Sequence, residues 1–293
     1  MNVTLQVSQE TVSRTGRAQI VWRKFSRNRG SLVGGITIST VILMALLAPV
    51  IAPEDRIEVD LTRAKLPPSI GHMMGTDPLG RDVGAYIIWG TRTSLMVAAT
   101  AVLLEILIAV GVGAISGYYR GVIDDVLMRI TDVVLVLPTL VLLVVMVSMF
   151  KVRSLLLIAA AMAIVAWPWM ARVVRSEFLS LREQSFVEAA RSLGMSDLLI
   201  IARHILPNAL SSVIVLATID VAWFILYEST LTFLGFGDPS AISLGALISK
   251  GRNYLGTAWW TSTFPGITIF AVTLACNLLG DGLRDAFDVK TRV

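Results

Sequence analysis

The sequence predicts an all-α, polytopic membrane protein, and three observations carry that prediction. Of 293 residues, 55% are apolar and only 16% charged, with a mean hydropathy of +0.74, against about 45–50% apolar and about 25% charged in soluble domains. Six apolar runs, at 32–52, 94–117, 133–150, 155–171, 209–234 and 264–283, match or approach the roughly 20 helical residues that a hydrocarbon core of about 30 Å requires. The basic residues flank those runs, whereas a nucleic-acid binder gathers them into stripes with interleaved aromatics, so the net charge of +4 points to membrane and not to nucleic acid.

Residues 1–31 form a cytoplasmic segment. Within it Ile20, Val21, Trp22 and Phe25 alternate with Arg17, Arg23, Lys24 and Arg27, a pattern for a short interfacial helix with its cations toward lipid phosphates. The following run exceeds the apolar core of a signal peptide, so it reads as an uncleaved first span. The 53–93 connection has 41 residues, too few for a further compact domain. In it Asp77-Pro78 reads as an N-cap followed by proline at the first helical position, opening a helix toward Trp89. In the second span Gly113 and Gly117 form a small-xxx-small pair for close helix packing.

The third and fourth runs are separated only by residues 151–154 and read as a hairpin, with Pro138 and Pro168 bending their helices. The fifth follows the loop 172–208. Trp89, Trp259 and Trp260 read as interface anchors. The transmembrane domain is thus 32–283, with 284–293 as a tail. Sixteen Lys and Arg lie in the N-terminus, 118–132, 172–208 and the C-terminus, against nine in the alternate connections. Both termini are therefore predicted to be cytoplasmic.

Enzyme chemistry finds little support. The G-x-x-x-x-G-K-[ST] phosphate cradle, H-E-x-x-H, C-x-x-C and G-x-S-x-G are all missing. Cys276 is the single cysteine and His72 and His204 are the two histidines, which leaves no transition-metal cage. The informative segment is 172–208. Ser185 and Glu188 have capping-box spacing, which predicts a helix from about Phe186. Phe186, Ala190 and Leu193 then share a face, and Gly194 supplies a left-handed stop. Ala189 and Ala190 leave the helix backbone thinly covered. Ser196 is placed to cap a second helix that Pro207 ends. A helix this short needs a packing surface, either its own spans or a cytoplasmic partner.

Glu188-Ala189-Ala190, Gly194 and His204-Ile205-Leu206-Pro207-Asn208 resemble the E-A-A…G…I-x-L-P signature of ATP-binding-cassette importer permeases, with His204 in the isoleucine place. Gly75 to Val83, Gly90 to Leu95, Leu231 to Gly237 and Asn277 to Ala286 supply further blocks in order. Together they resemble the second permease subunit of the oligopeptide/dipeptide/nickel family, across roughly residues 20–290. Thr232 and Phe236 depart slightly from the family's usual Ser and Leu. The resemblance implies the type I importer permease fold and alternating access in a heterodimer with a homologous second permease. It also implies two ATPase subunits, which bind ATP and Mg²⁺, and an extracytoplasmic substrate-binding protein. No cofactor is expected in this chain. The signature residues Ser185, Glu188, Ala189, Ala190, Gly194, His204 and Pro207 become candidates for ATPase coupling.

Ionisable groups within spans are costly and point to function. Glu105, Asp220 and Glu228 are such groups. Asp220, Trp223 and Tyr227 share a face of the fifth span with Glu228 adjoining, which suits either a translocation path for a polar solute or hydrogen bonding between helices. Outside the spans, Arg81 and Asp82 belong either to a structural turn or to a contact with a binding protein, and His72 reads as a loop residue. A proton-coupled secondary transporter and a structural membrane protein are the competing classes, although no inverted repeat favours the former. Short peptides are the preferred substrate class, with nickel and oligosaccharides as alternatives.

Overall fold

The computed structural model describes residues 22–53, 57–150 and 153–287. Arg17, Ile20 and Val21 of the interfacial segment, Lys151 and Val152, and residues 288–293 of the tail lie outside them. Residues 22–27 are helical, with Trp22 and Phe25 stacked. The regular elements that follow are helices: α1 (Arg29–Leu46), α2 (Ala48–Ile51), α3 (Val83–Tyr119), α4 (Gly121–Val136), α5 (Thr139–Ser148), α6 (Leu155–Leu181), α7 (Ser185–Ser192), α8 (Asp197–Ile200), α9 (Leu206–Phe233), α10 (Leu244–Gly251) and α11 (Trp260–Phe287).

Five stretches are long and apolar enough to cross a membrane: α1, α3, α6, the run Asp197–Phe233 and α11. The expected third span is not one straight helix. Helices α4 and α5 meet at 90°, because Pro138 lacks an amide hydrogen and pushes Leu137 into extended backbone at ψ 134. Side-chain ties nevertheless show that the bent pair joins opposite ends of the bundle. Arg120 pairs with Glu183 at 2.5 Å, beyond the end of α6, whereas Arg153 donates to the Gly235 carbonyl beyond the end of α9. The chain therefore has five unbroken candidate spans, and the bent pair makes a sixth when counted as one crossing. Pro168, by contrast, is carried inside an unbroken α6.

The α3–α6 pair forms the spine. A Cβ at Gly113 would lie 2.6 Å from the Ala171 carbonyl oxygen, and one at Gly117 2.6 Å from the Phe178 Cβ, so the two glycines set the approach of these backbones as the spacing predicted. Asn28 caps α1 through Gly30 N–H at 3.0 Å and donates to Asp285 of α11 at 3.2 Å, which brings the two ends of the transmembrane domain to one side of the bundle. Asp124 of α4 is fixed by both Nε and Nη2 of Arg175 at 2.6 Å and by the Ser116 hydroxyl.

At the opposite end the loops form a small core of their own, built from Val83, Tyr86, Ile87, Leu244, Leu247, Ala258 and Trp260. Here Asp82, and not Asp77, caps α3, accepting from Ala85 N–H at 2.9 Å. Asp77 instead closes a turn, accepting from Leu79 and Arg81 N–H at 2.8 and 2.9 Å. Spacing alone cannot separate these roles, because an aspartate before proline serves a turn as readily as a helix. Trp260 is likewise no interface anchor: it is buried and donates to the Thr76 carbonyl at 3.0 Å. Trp89 donates to the Ala52 carbonyl at 2.9 Å, while Trp259 is half exposed.

Candidate functional site

The elbow between α6 and α9 is built from α7, α8 and a wide turn. Ser185 is the first residue of α7 and not its cap; Gln184 takes the cap position, and no side chain caps the helix, so the Ser185–Glu188 box does not form. The C-terminal end follows the sequence closely. Gly194 adopts φ +75, Met195 N–H donates to the Ala190 carbonyl at 3.2 Å and Gly194 N–H to the Arg191 carbonyl at 2.9 Å. This is the reciprocal bond pair that terminates a helix through a left-handed residue.

The face that Phe186, Ala190 and Leu193 share by spacing is not buried as a unit. Val187 and Ala190 are buried against Tyr118, Val174 and Phe178, whereas Phe186 and Leu193 are 39% and 83% exposed. Ala189, Leu198 and Leu199 are exposed with them. A small inward face suffices because Ala190 allows close approach, leaving the larger side chains outward as an apolar group. Tyr118 pins the elbow: its hydroxyl donates to Asp197 at 2.6 Å and its ring lies under the Arg191 guanidinium at 5.5 Å. Ser196 occupies the cap position of α8 without a side-chain bond. Pro207 does not end this helix. Residues Ile201–Ile205 form a π-helical stretch, Leu206 N–H reaches the Ile201 carbonyl, and Pro207 falls in the first turn of α9, where its missing N–H costs least. His204 sits in that wide turn, its carbonyl accepting from Asn208 at 2.7 Å.

On α9, Trp223 is 52% exposed and stacks on Tyr227 with centroids 6.0 Å apart, as one polar-aromatic face requires. Asp220 belongs to the same helix, and its buried Oδ2 has no hydrogen-bond partner. Glu105 of α3 is also buried with an unpartnered Oε2, near enough for the charge of Asp220 to act on it. Glu228 is different. It is enclosed, accepting from the hydroxyls of Ser94 at 2.6 Å, Thr232 at 3.0 Å and Ser229 at 3.4 Å, and it ties α3 to α9 without an exposed edge in this chain. Ser94 lies in the Gly90 to Leu95 block, but nothing in the sequence pairs it with Glu228, 134 residues away.

Arg81 and Asp82 do not project outward. Arg81 donates to Asp77 Oδ2 through Nε and Nη2 at 2.7 and 2.5 Å, and to the Tyr86 hydroxyl through Nη1 at 2.6 Å. Asp82 is buried between its cap bond and the His72 imidazole at 2.7 Å. The block is thus a folded turn whose charges are satisfied internally.

A helical bundle with five or six apolar spans, a short helix presented at one end and ionisable groups on its long spans has the build of a polytopic membrane protein. The family described as "binding-protein-dependent transport system inner membrane component" matches residues 109–293, and the chain belongs to it. The N-terminal transmembrane domain of oligopeptide transport permease C matches residues 16–68. The dipeptide transport system permease protein DppC of Haemophilus influenzae is 38% identical over 94% of this chain and 95% of its own length. The oligopeptide transport system permease protein OppC of Bacillus subtilis is 38% identical over 92% and 88%, and the glutathione transport system permease protein GsiD of Pectobacterium atrosepticum 35% identical over 100% and 97%. Among solved structures, the inward-facing MetNI methionine ABC transporter shares the fold, with a TM-score of 0.56 over 69% of this chain and 96% of that one at 20% identity.

Proposed function

We propose that this permease forms half of the translocation path of an ATP-driven importer of short peptides, paired with a homologous second permease and supplied by an extracytoplasmic binding protein. Two ATPase subunits bind ATP and Mg²⁺ on the cytoplasmic side, and the outward face of α7 docks on one of them. The observation that carries the coupling role is the exposed apolar group of Phe186, Ala189 and Leu193 on a short helix whose inward contacts come from Val187, Ala190 and the Arg191 guanidinium over Tyr118. Exposed apolar groups of this kind mark protein contacts. The peptide class rests on the names of the relatives, and Asp220, Trp223 and Tyr227 offer a peptide both charge and aromatic surface.

The elbow lies on the cytoplasmic side and both termini with it, as the basic asymmetry requires. Cysteine placed at Ser196 and at Ser240 in a Cys276→Ala background tests this: an impermeant thiol reagent reaches the first from the cytoplasm and the second from outside. Labelling of both from one side refutes the six-crossing arrangement. Uptake by the reconstituted complex with its binding protein, measured across peptides, nickel complexes and oligosaccharides, tests the substrate class. Failure with every peptide removes it.

A further inference from the structure

The end of the bundle opposite the elbow holds a cavity of about 190 Å³ lined by Arg81, Tyr86, Ser240, Ser243, Leu247 and Lys250 among others. Its charges do not balance. The Arg81 guanidinium is neutralised by Asp77, whereas Lys250 of α10 has no hydrogen-bond or ion-pair partner among the described residues. Lys250 itself is exposed, at the rim of the cavity, where partial desolvation and the charge of Arg81 hold its ammonium below the usual lysine range, against the opposing pull of Asp77. The Tyr86 hydroxyl accepts from Arg81, which leaves its own hydrogen directed elsewhere. The Ser240 hydroxyl is committed to Asp238 at 2.6 Å, and that of Ser243 accepts from Ala246 N–H at 3.3 Å. The cavity thus offers one uncompensated positive charge with spare donors, beside an apolar wall at Leu247. A singly charged, planar acceptor with an apolar remainder complements this arrangement; a dianionic phosphate would leave a negative charge unmet.

We infer that this cavity is a carboxylate site, in which Lys250 and the Tyr86 hydroxyl bind the terminal carboxylate of a short peptide at the outer mouth of the path. The inference rests on the peptide-importer reading and adds a recognition element to it. Neither the apolar runs nor the short motifs pointed to Lys250, because its neighbours Arg81 and Tyr86 lie far from it in the sequence.

The test uses the permease–ATPase complex in nanodiscs of neutral lipid. Lys250 is labelled with trinitrobenzenesulfonate and its modification followed by peptide mass mapping, with trialanine or trialanine amide present. Trialanine slows labelling of Lys250 and its amide does not. In proteoliposomes with the binding protein, Lys250→Met lowers the preference for the free acid over the amide by about tenfold, the value of one charged hydrogen bond, and Lys250→Arg restores most of it. Equal protection by acid and amide, or by neither, overturns the site. So does protection by the peptide-free binding protein, which would assign the cavity to an acidic protein surface, or protection by anionic lipid alone. If the wild-type complex takes up no peptide at all, the importer reading fails. If it takes up peptides but Lys250→Met leaves the preference unchanged, only the carboxylate site fails.

Discussion

The two ends of the bundle are built on opposite plans. At the mouth, loops distant in sequence are locked by polar ties: Arg81 to Asp77 and Tyr86, His72 to Asp82, Trp260 to the Thr76 carbonyl. At the elbow, α7 itself is held by two small apolar side chains, a glycine turn and the Arg191 guanidinium over the Tyr118 ring, and its larger apolar side chains face away. Buried charged ties resist any rearrangement that separates their partners, while a small apolar contact can slide or detach at modest cost. The packing of the first end favours a fixed shape, and that of the elbow permits movement.

The sharpest way to break that contrast is at Gly80. With φ +79, it would place a Cβ 1.7 Å from the Asp60 carbonyl oxygen. Gly80→Val therefore combines left-handed strain with a backbone clash, and the yield of monodisperse protein in detergent should fall by about tenfold or more. Next comes Asp77→Ala, which strands the Arg81 guanidinium, 11% exposed, and should cost about 3 kcal/mol by thermal unfolding. The double change Asp77→Ala, Arg81→Met should recover most of that loss, because an apolar pair leaves no buried charge unpaired.

At the elbow the effects should appear in coupling and not in stability. A Cβ at Gly194 meets nothing within 4 Å, so Gly194→Val carries only the left-handed cost of about 1–2 kcal/mol. Global Tm should move little while ATP-driven uptake falls. Glu188→Ala should be the mildest, within about 0.5 kcal/mol, because no capping bond is lost and only its favourable place near the helix N-terminus is removed. Normal ATPase assembly and full uptake in both elbow variants would make α7 a structural corner and cancel the contrast.

The all-α membrane class, the α3–α6 glycine contact and the Gly194 turn were legible because each depends on composition, a single spacing or one backbone conformation. The errors share a different cause. Asp77 against Asp82, and Ser185 against Gln184, are choices between neighbouring positions with the same local chemistry, and tertiary packing decides between them. Which side of α7 turns inward was not legible, because periodicity groups Phe186, Ala190 and Leu193 whereas close packing against α3 and α6 selects Val187 and Ala190. Pro138 was read as a bend and is a 90° break. The enclosure of Glu228 depends on Ser94, 134 residues away, and no local pattern encodes it.

The wide turn at Ile201–Ile205 also fixes an angular phase. Each residue advances an α-helix by about 100°, so a turn holding one residue more than the α repeat rotates everything beyond it relative to everything before. Asp220, Trp223 and Tyr227 therefore owe their azimuth around α9 to five residues at its N-terminal root, separated from α7 by the Gly194 turn and α8. A single deletion at the exposed Ala202 would leave every side chain of that face chemically intact and point the whole face toward a different neighbour.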